Sequence, residues 1–256
     1  MVHQNIVQDR LQDLFPVHYR NGNILMINAD CMDVMKHIHD SEVELSCVDP
    51  PYGLRVDGVN PIANKSGDQN HNYDHTKQWD EYIPDKAYFT ELQRVSKNQI
   101  IWGGNYFLDY LGFCKAPIIW DKLNGESMFA DGEMAWTSGG LPRNLKIFRH
   151  QWCGAFKASE RGTIKIHPTQ KPVTLYKWLL SRYAKPGDRI LDTHGGSGSI
   201  CIACHDLGFD LTWMELDADY YKAACERYQN HAAQATLFDP VELTKPTTKE
   251  TQGDLF

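Results

Sequence analysis

The chain has 256 residues, 42% of them hydrophobic and 23% charged, which suits one large α/β domain with a sizeable core. No apolar run is long enough to span a bilayer and no signal-peptide stretch is seen, so seven cysteines read as reduced thiols of a cytosolic protein. A formal net charge of −7 argues against nucleic acid as a partner, but net charge is an average and its distribution matters more.

Taken in order, short β-branched runs alternate with helical periodicity, which points to a mainly parallel sheet covered by helices. Asn23–Ile27 reads as a strand, and Met32, Met35 and Ile38 then share one helical face. Val43–Val48 is a second strand that runs directly into Asp49-Pro50-Pro51-Tyr52. From Leu54 to Asp80 the chain is polar and without period, a long loop of the kind that usually carries function. Pro84–Ser96 reads as a helix, and Gln99–Trp102 and Ile118–Trp120 as strands. The dipeptide Gly103-Gly104 with Asn105 and Tyr106 follows and could line a cleft or simply make a turn.

Between Leu141 and Arg182 the bases Arg143, Lys146, Arg149, Lys157, Arg161, Lys165, Lys171, Lys177 and Arg182 face a single acid, Glu160. Phe148, Trp152 and Phe156 are interleaved with them, so the segment could neutralise phosphates and stack on bases, or be a solvated basic face. Pro172 can open a helix over Val173–Tyr183, with Leu175, Trp178, Leu179 and Arg182 on one face. Arg189–Asp192 is a strand, the loop Gly195-Gly196-Ser197-Gly198 leads into a helix through Leu207, and Asp210–Glu215 is another strand. Asp217 can cap the Ala-rich helix that follows, and beyond Phe238 the chain becomes a flexible polar tail.

A strand, a Gly-rich turn and a helix make a nucleotide-binding arrangement, because glycine lets the backbone turn tightly and approach a ligand. Glu215, one strand later, is placed to accept both hydroxyls of a ribose. The turn lacks the full G-x-G-x-x-G of dinucleotide enzymes, since Ile200 and Cys201 follow Gly198.

Five stretches in this order resemble the β-group of amino-methylating DNA methyltransferases: Asn28–Met32, Asp49–Gly53, His167–Pro172, Leu191–Ser199 and Glu215–Asp217. The resemblance runs from about residue 23 to 230 and implies an α/β, Rossmann-like S-adenosylmethionine-dependent methyltransferase fold. Its sheet would be mostly parallel and seven-stranded, with a circularly permuted motif order. Residues 1–238 would form the domain, with target-recognition insertions at about 54–80 and 141–165, and 239–256 the tail. The resemblance assigns S-adenosylmethionine to Asp30, Cys31, Asp192, Thr193, His194, Gly195, Gly196, Ser197, Gly198, Glu215, Leu216 and Asp217, with Thr169 and Lys171 closing the pocket. Asp30 would bond the cofactor's adenine and Glu215 its ribose. The family loop commonly carries Pro-Phe where this chain has Thr193-His194.

The chemistry expected of Asp49, Pro50, Pro51 and Tyr52 follows from the weakness of an exocyclic amino nucleophile, whose lone pair is delocalised into the base. Asp49 and the Pro50 carbonyl, accepting its two N–H bonds, would localise that lone pair; the prolines fix the turn, and Tyr52 offers a stacking face. The target base must leave the duplex to reach them. The expected reaction is N6 methylation of adenine, because the family's cytosine-N4 members more often carry Ser at the Asp49 position. Cytosine-N4 methylation, a non-catalytic DNA-binding relative and an RNA or protein-glutamine methylase are the rivals. Carbon-5 methylation is set aside because no cysteine follows a proline.

Expected DNA contacts are Arg143, Lys146, Arg149, Lys157, Arg161 and Lys165, and the expected partner is double-stranded DNA, with a homodimer as a further partner. Cys201-Ile202-Ala203-Cys204-His205 has the haem-attachment spacing but reads as packed small residues, and His71, Asp74 and His75 lack metal-ligand spacing, so no metal is expected. The tail ends Gln252-Gly253-Asp254-Leu255-Phe256, with an earlier copy at Gln234–Phe238. Both resemble the Gln-x-x-Leu-Phe peptides that dock bacterial proteins on the sliding clamp; Gln252, Leu255 and Phe256 would make that contact in a bacterial or phage-encoded, nucleoid-associated protein.

Overall fold

The structure is a computed structural model that describes residues 5–54, 80–125, 130–153, 156–157, 159–160 and 163–235. Its elements alternate along the chain. They begin with α1 (Ile6–Leu14), β1 (His18–Asn21), β2 (Ile24–Asn28), α2 (Cys31–Met35) and β3 (Val43–Val48). The middle holds α3 (Lys86–Val95), β4 (Ser96–Trp102), α4 (Leu108–Leu111), β5 (Ile118–Asp121), β6 (Gly132–Thr137), β7 (Lys146–Arg149), β8 (Trp152–Cys153) and β9 (Phe156–Lys157). The last third holds α5 (Val173–Tyr183), β10 (Arg189–Asp192), α6 (Ser199–Leu207), β11 (Asp210–Glu215) and α7 (Ala218–Ala235).

The main sheet has nine strands in the order β1-β2-β11-β10-β3-β4-β6-β5-β7, and β8 pairs only with β9. This corrects the seven strands expected. One extra strand, β1, arises because Gly22, at φ +56°, permits a two-residue turn that folds His18–Asn21 antiparallel onto β2. At the other edge β7 pairs in parallel with β5, so part of the basic segment is sheet rather than loop. β2, β11, β10, β3 and β4 are mutually parallel, whereas β6 runs antiparallel to both β4 and β5.

Side chains alternate across this sheet and build two cores. Ile24 and Met26 pack with Leu175, Leu179 and Ile200, from helices α5 and α6 on one face. Leu25 and Ile27 pack with Leu11, Met35, Phe89 and Leu92, from α1, α2 and α3 on the other. Cys201 and Cys204 are fully buried in the first core, where their thiols are packed small side chains.

Two sequence expectations are corrected by this packing. The buried face of α5 is Leu175, Tyr176, Leu179 and Leu180, while Arg182 is exposed and lies 4.8 Å over the Trp178 ring. Nor do the described aromatics of the basic segment form a stacking platform. Trp152 is buried and donates its indole N–H to the Gln170 carbonyl at 2.9 Å, and Phe148 packs against Trp178. A Trp whose N–H finds a carbonyl is more stable inside than a Trp left in water.

Candidate active site

The five parallel strands all end on the same side of the sheet. From β10 the chain crosses to β11 on one side, and from β3 to β4 on the other, so a crevice opens between β10 and β3. Open α/β sheets bind ligands at such a switch point. The strand ends there carry Asn28, Glu215, Asp192, Asp49 and Gly103.

Two cavities meet at this crevice. A larger one of about 690 Å³ is walled by His167, Thr169–Lys171, His194–Ser197 and Glu215–Ala218, together with Asp49, Pro51, Tyr176 and Tyr220. A second, of about 490 Å³, is walled by Asp49–Tyr52, Leu54, Asp80, Gly103, Asn105, Tyr106 and the Gly132–Met134 end of β6. Asp49, Pro51, Thr169 and Lys171 line both.

The larger cavity is shaped by backbone that only glycine allows. Gly196 and Gly198 stand at φ +52° and +67°, and a Cβ on Gly195 would lie 1.8 Å from the buried Trp213 ring. Glu215 accepts the Gly196 amide through one carboxylate oxygen and the Asp217 amide through the other, each at 2.8 Å. Burial raises its pKa, each oxygen keeps acceptor capacity beyond its one amide, and the residue lines the cavity. Asn28 fixes the turn beyond it by donating to the Glu215 and Leu216 carbonyls at 2.7 and 3.0 Å. A carboxylate beside close-approaching amides suits a nucleoside diol, so the residues present fit S-adenosylmethionine.

The other expected cofactor residues divide. Leu216, Asp217, Gly195, Gly196, Ser197, His194, Thr169 and Lys171 all line the larger cavity. Asp192, Thr193 and Gly198 are buried behind it, with Asp192 accepting the His194 amide at 3.2 Å. Asp30 and Cys31 are not among the described residues that wall it. Asp30 is exposed and caps α2 by accepting the Met32 amide at 2.8 Å, and burial beside Asp30 raises the Cys31 thiol to about 12.

The Thr193-His194 departure is absorbed by Tyr88 of α3. Its hydroxyl lies 2.7 Å from the Thr193 hydroxyl, and its ring meets the His194 imidazole edge-on at 5.1 Å. Burial lowers the His194 pKa to about 4, so the ring is a neutral aromatic wall at physiological pH.

In the second cavity Asp80 clamps the turn after the prolines. It accepts the amides of Tyr52, Gly53 and Leu54 at 2.7, 2.9 and 3.2 Å. The Tyr52 hydroxyl donates to Asp49 at 2.5 Å, and its ring stacks on Tyr106 at 5.1 Å. Gly103 makes room for that ring, because a Cβ there would lie 2.2 Å from it.

Lys171 is deeper in this chemistry than its expected pocket-closing role. Its ammonium, 3% exposed, binds the second oxygen of Asp49 and lies 3.0 Å from Glu133, which Lys122 also holds at 2.5 Å. Burial favours neutral carboxyls here, but two ammonium groups more than offset it at Glu133 and bring that pKa to about 2. Burial together with the Glu133 charge leaves Asp49 raised, against the pull of Lys171. Burial would lower Lys171, and the two carboxylates outweigh it, so the ammonium stays charged.

Sequence reasoning missed Glu133, Lys122, Asp80 and Tyr88, and also an anchor beneath the glycine loop. Arg227 of α7 donates to the Ser197 carbonyl at 2.8 Å and pairs with Glu160 at 3.2 Å, while Glu160 accepts the Val173 amide at 2.8 Å. Glu160, the lone acid of the basic segment, is thus a structural partner rather than surface charge. An acid isolated among bases was the signal that could have found it.

Of the expected DNA contacts, Arg143 is exposed, Lys146 is half-buried on β7, and Arg149 is exposed but 3.4 Å from Asp121. Lys165 lies 5.9 Å over the Trp152 ring. Lys157 is placed on β9; its side chain, Arg161, the sequence loop at 55–79 and the tail with Gln252, Leu255 and Phe256 lie outside the described residues. So do His71, Asp74 and His75.

A mixed α/β sheet with a glycine-loop cavity joined to an Asp-Pro-Pro-Tyr cavity is a Rossmann-like architecture, the fold of S-adenosylmethionine-dependent DNA methyltransferases. Residues 141–226 match the family model for DNA methylase of the N6/N4 type. The type II methyltransferase M.HinfI of Haemophilus influenzae is 26% identical, over 79% of this chain and 67% of its own. M2.MboI of Moraxella bovis is 23% identical, over 86% of this chain and 92% of its own. In fold, the M1.HpyAVI–SAM complex aligns with TM-score 0.53 and 21% identity, covering 81% of this chain and 99% of that one. The cytosine-N4-specific PvuII DNA methyltransferase aligns with TM-score 0.54 and 14% identity, covering 88% and 97%. Together the matches show that the chain is similar to DNA methyltransferases in sequence, and the solved structures show a shared fold.

Proposed function

We propose that the protein uses S-adenosylmethionine to methylate the N6 amino group of an adenine flipped out of double-stranded DNA. The observation that carries this reading is the meeting of two cavities at one carboxylate, Asp49. Held in the larger cavity by Glu215 and the Gly195–Ser197 backbone, the cofactor supplies an electrophilic methyl group. The smaller cavity takes the base, edge-on to Asp49 and among the aromatic walls of Tyr52 and Tyr106. The two Asp49 oxygens accept from Tyr52 and Lys171, so the incoming amino N–H takes the place of the ammonium on one of them. The Pro50 carbonyl is the second acceptor. Asp80 fixes both by holding the turn, so orientation is provided before the base arrives.

Adenine is preferred on the carboxylate at position 49, and both type II relatives fit a modification activity of this kind. Arg143, Lys146, Arg149, Lys157, Arg161 and Lys165 supply phosphate contacts. The tail, through Gln252, Leu255 and Phe256, carries the sliding-clamp reading, and a pull-down unchanged by deleting 252–256 would remove it. Purified protein incubated with labelled S-adenosylmethionine and DNA, followed by nucleoside analysis, tests the main reading. N6-methyladenine supports it; N4-methylcytosine would make the enzyme a cytosine methylase, and no labelled base would favour a non-catalytic relative.

A further inference from the structure

The ion chain around Asp49, centred on the buried Lys171, contains one charge that the transfer itself does not call for. Lys122, Glu133, Lys171 and Asp49 alternate in sign, with contacts of 2.5 Å between the first two and 3.0 Å between Glu133 and Lys171. The Tyr52 hydroxyl spans the two carboxylates, 2.5 Å from Asp49 and 3.4 Å from Glu133. Sheet topology puts Glu133 there. Because β6 is antiparallel to β4, with Trp102 opposite Ala135, its first residues project past the C-terminal end of β4 into the base cavity. Because β5 is antiparallel to β6, with Trp120 opposite Glu133, Lys122 emerges beside it.

An ammonium held by Asp49 alone would compete with the incoming amino group for the same acceptor. Moving it off Asp49 without a second carboxylate would leave a bare buried charge, which is strongly unfavourable. We propose that Glu133 is a positioning residue that receives the Lys171 ammonium when the base occupies Asp49, so that acceptor and ammonium are never both unpaired. Lys122 keeps the Glu133 carboxylate in place for that role.

This inference rests on the proposed methyl transfer, and its test separates the two. In Glu133→Gln, Lys171 leans on Asp49 alone. The kcat for DNA methylation should fall roughly tenfold, less than the 10²–10³ typical of a lost direct contact. Affinity for S-adenosylmethionine, measured by calorimetry, should stay unchanged. The acid limb of kcat should move to lower pH, since one negative charge facing Asp49 is gone. Among the described residues, the groups that still face Asp49 are Tyr52, Lys171, Tyr176 of α5, Tyr88 of α3, Cys47 of β3 and Asp192 of β10. Glu133→Asp should recover part of the rate. The ¹³C shift of the Asp49 carboxyl, titrated without DNA, should report the same downward move even if the substrate is not DNA. A Glu133→Gln enzyme with unaltered kcat and Asp49 titration overturns the inference, as does a pH-independent loss that Glu133→Asp fails to relieve. A wild-type protein that transfers no methyl group to DNA sinks the proposed function instead.

Discussion

At the scale of single residues, the account assigns separable losses. Asp49→Ala removes the carboxylate acceptor and should lower kcat by about 10²–10³, with S-adenosylmethionine binding retained in calorimetry. Glu215→Ala removes a charged acceptor held by two amides, worth about 1.5–3 kcal/mol per bond, and should weaken cofactor binding by at least about tenfold. His194 yields a pH prediction of definite sign. Its pKa falls from an ordinary 6.5 to about 4 because burial disfavours the imidazolium. The unfolded chain therefore binds the extra proton first, and the His194 contribution to stability is complete above pH 6.5 and lost progressively as pH falls toward 4. In urea titrations across that window, His194→Phe should flatten the acid-side decline; an unchanged slope would mean that the imidazole is not buried neutral.

At the scale of elements, the Arg227–Glu160 pair links α7, the glycine loop and the start of α5. Arg227→Met leaves the half-buried Glu160 without its main cation and should cost about 1.5–3 kcal/mol in urea unfolding, with a higher KM for the cofactor. Normal stability with an unaltered KM would show that the loop is held otherwise. Elements with strong local periodicity were legible in the sequence: Val43–Val48, Val173–Tyr183, Arg189–Asp192 and Asp210–Glu215 match their observed bounds. β6 was not, because Gly132-Glu133-Met134 breaks the apolar pattern where the strand enters the site. The same acid that hides the strand makes it functional, and only the antiparallel pairing with β4 reveals that Glu133 faces Asp49. Asp80 was invisible for a similar reason, since its partners, the amides of Tyr52, Gly53 and Leu54, are brought to it by tertiary structure.

For the whole molecule, a net charge of −7 means that the proposed DNA contacts must be local, and β7 with the turn before it offers Arg143, Lys146 and Arg149 at the sheet edge. Replacing these three by Ala should weaken DNA binding uniformly across sequences and reduce the slope of log K against log salt by roughly 2–3. A smaller change is expected from Arg149, which Asp121 already partly neutralises. The central claim is that two cavities joined at Asp49 bring a methyl donor to an adenine amino group. Modified-base sequencing of DNA from cells expressing wild type or Asp49→Ala tests it most directly. The account predicts N6-methyladenine at a fixed sequence with wild type and strongly reduced occupancy of those sites with Asp49→Ala; N4-methylcytosine, or methylation undiminished by Asp49→Ala, would contradict it.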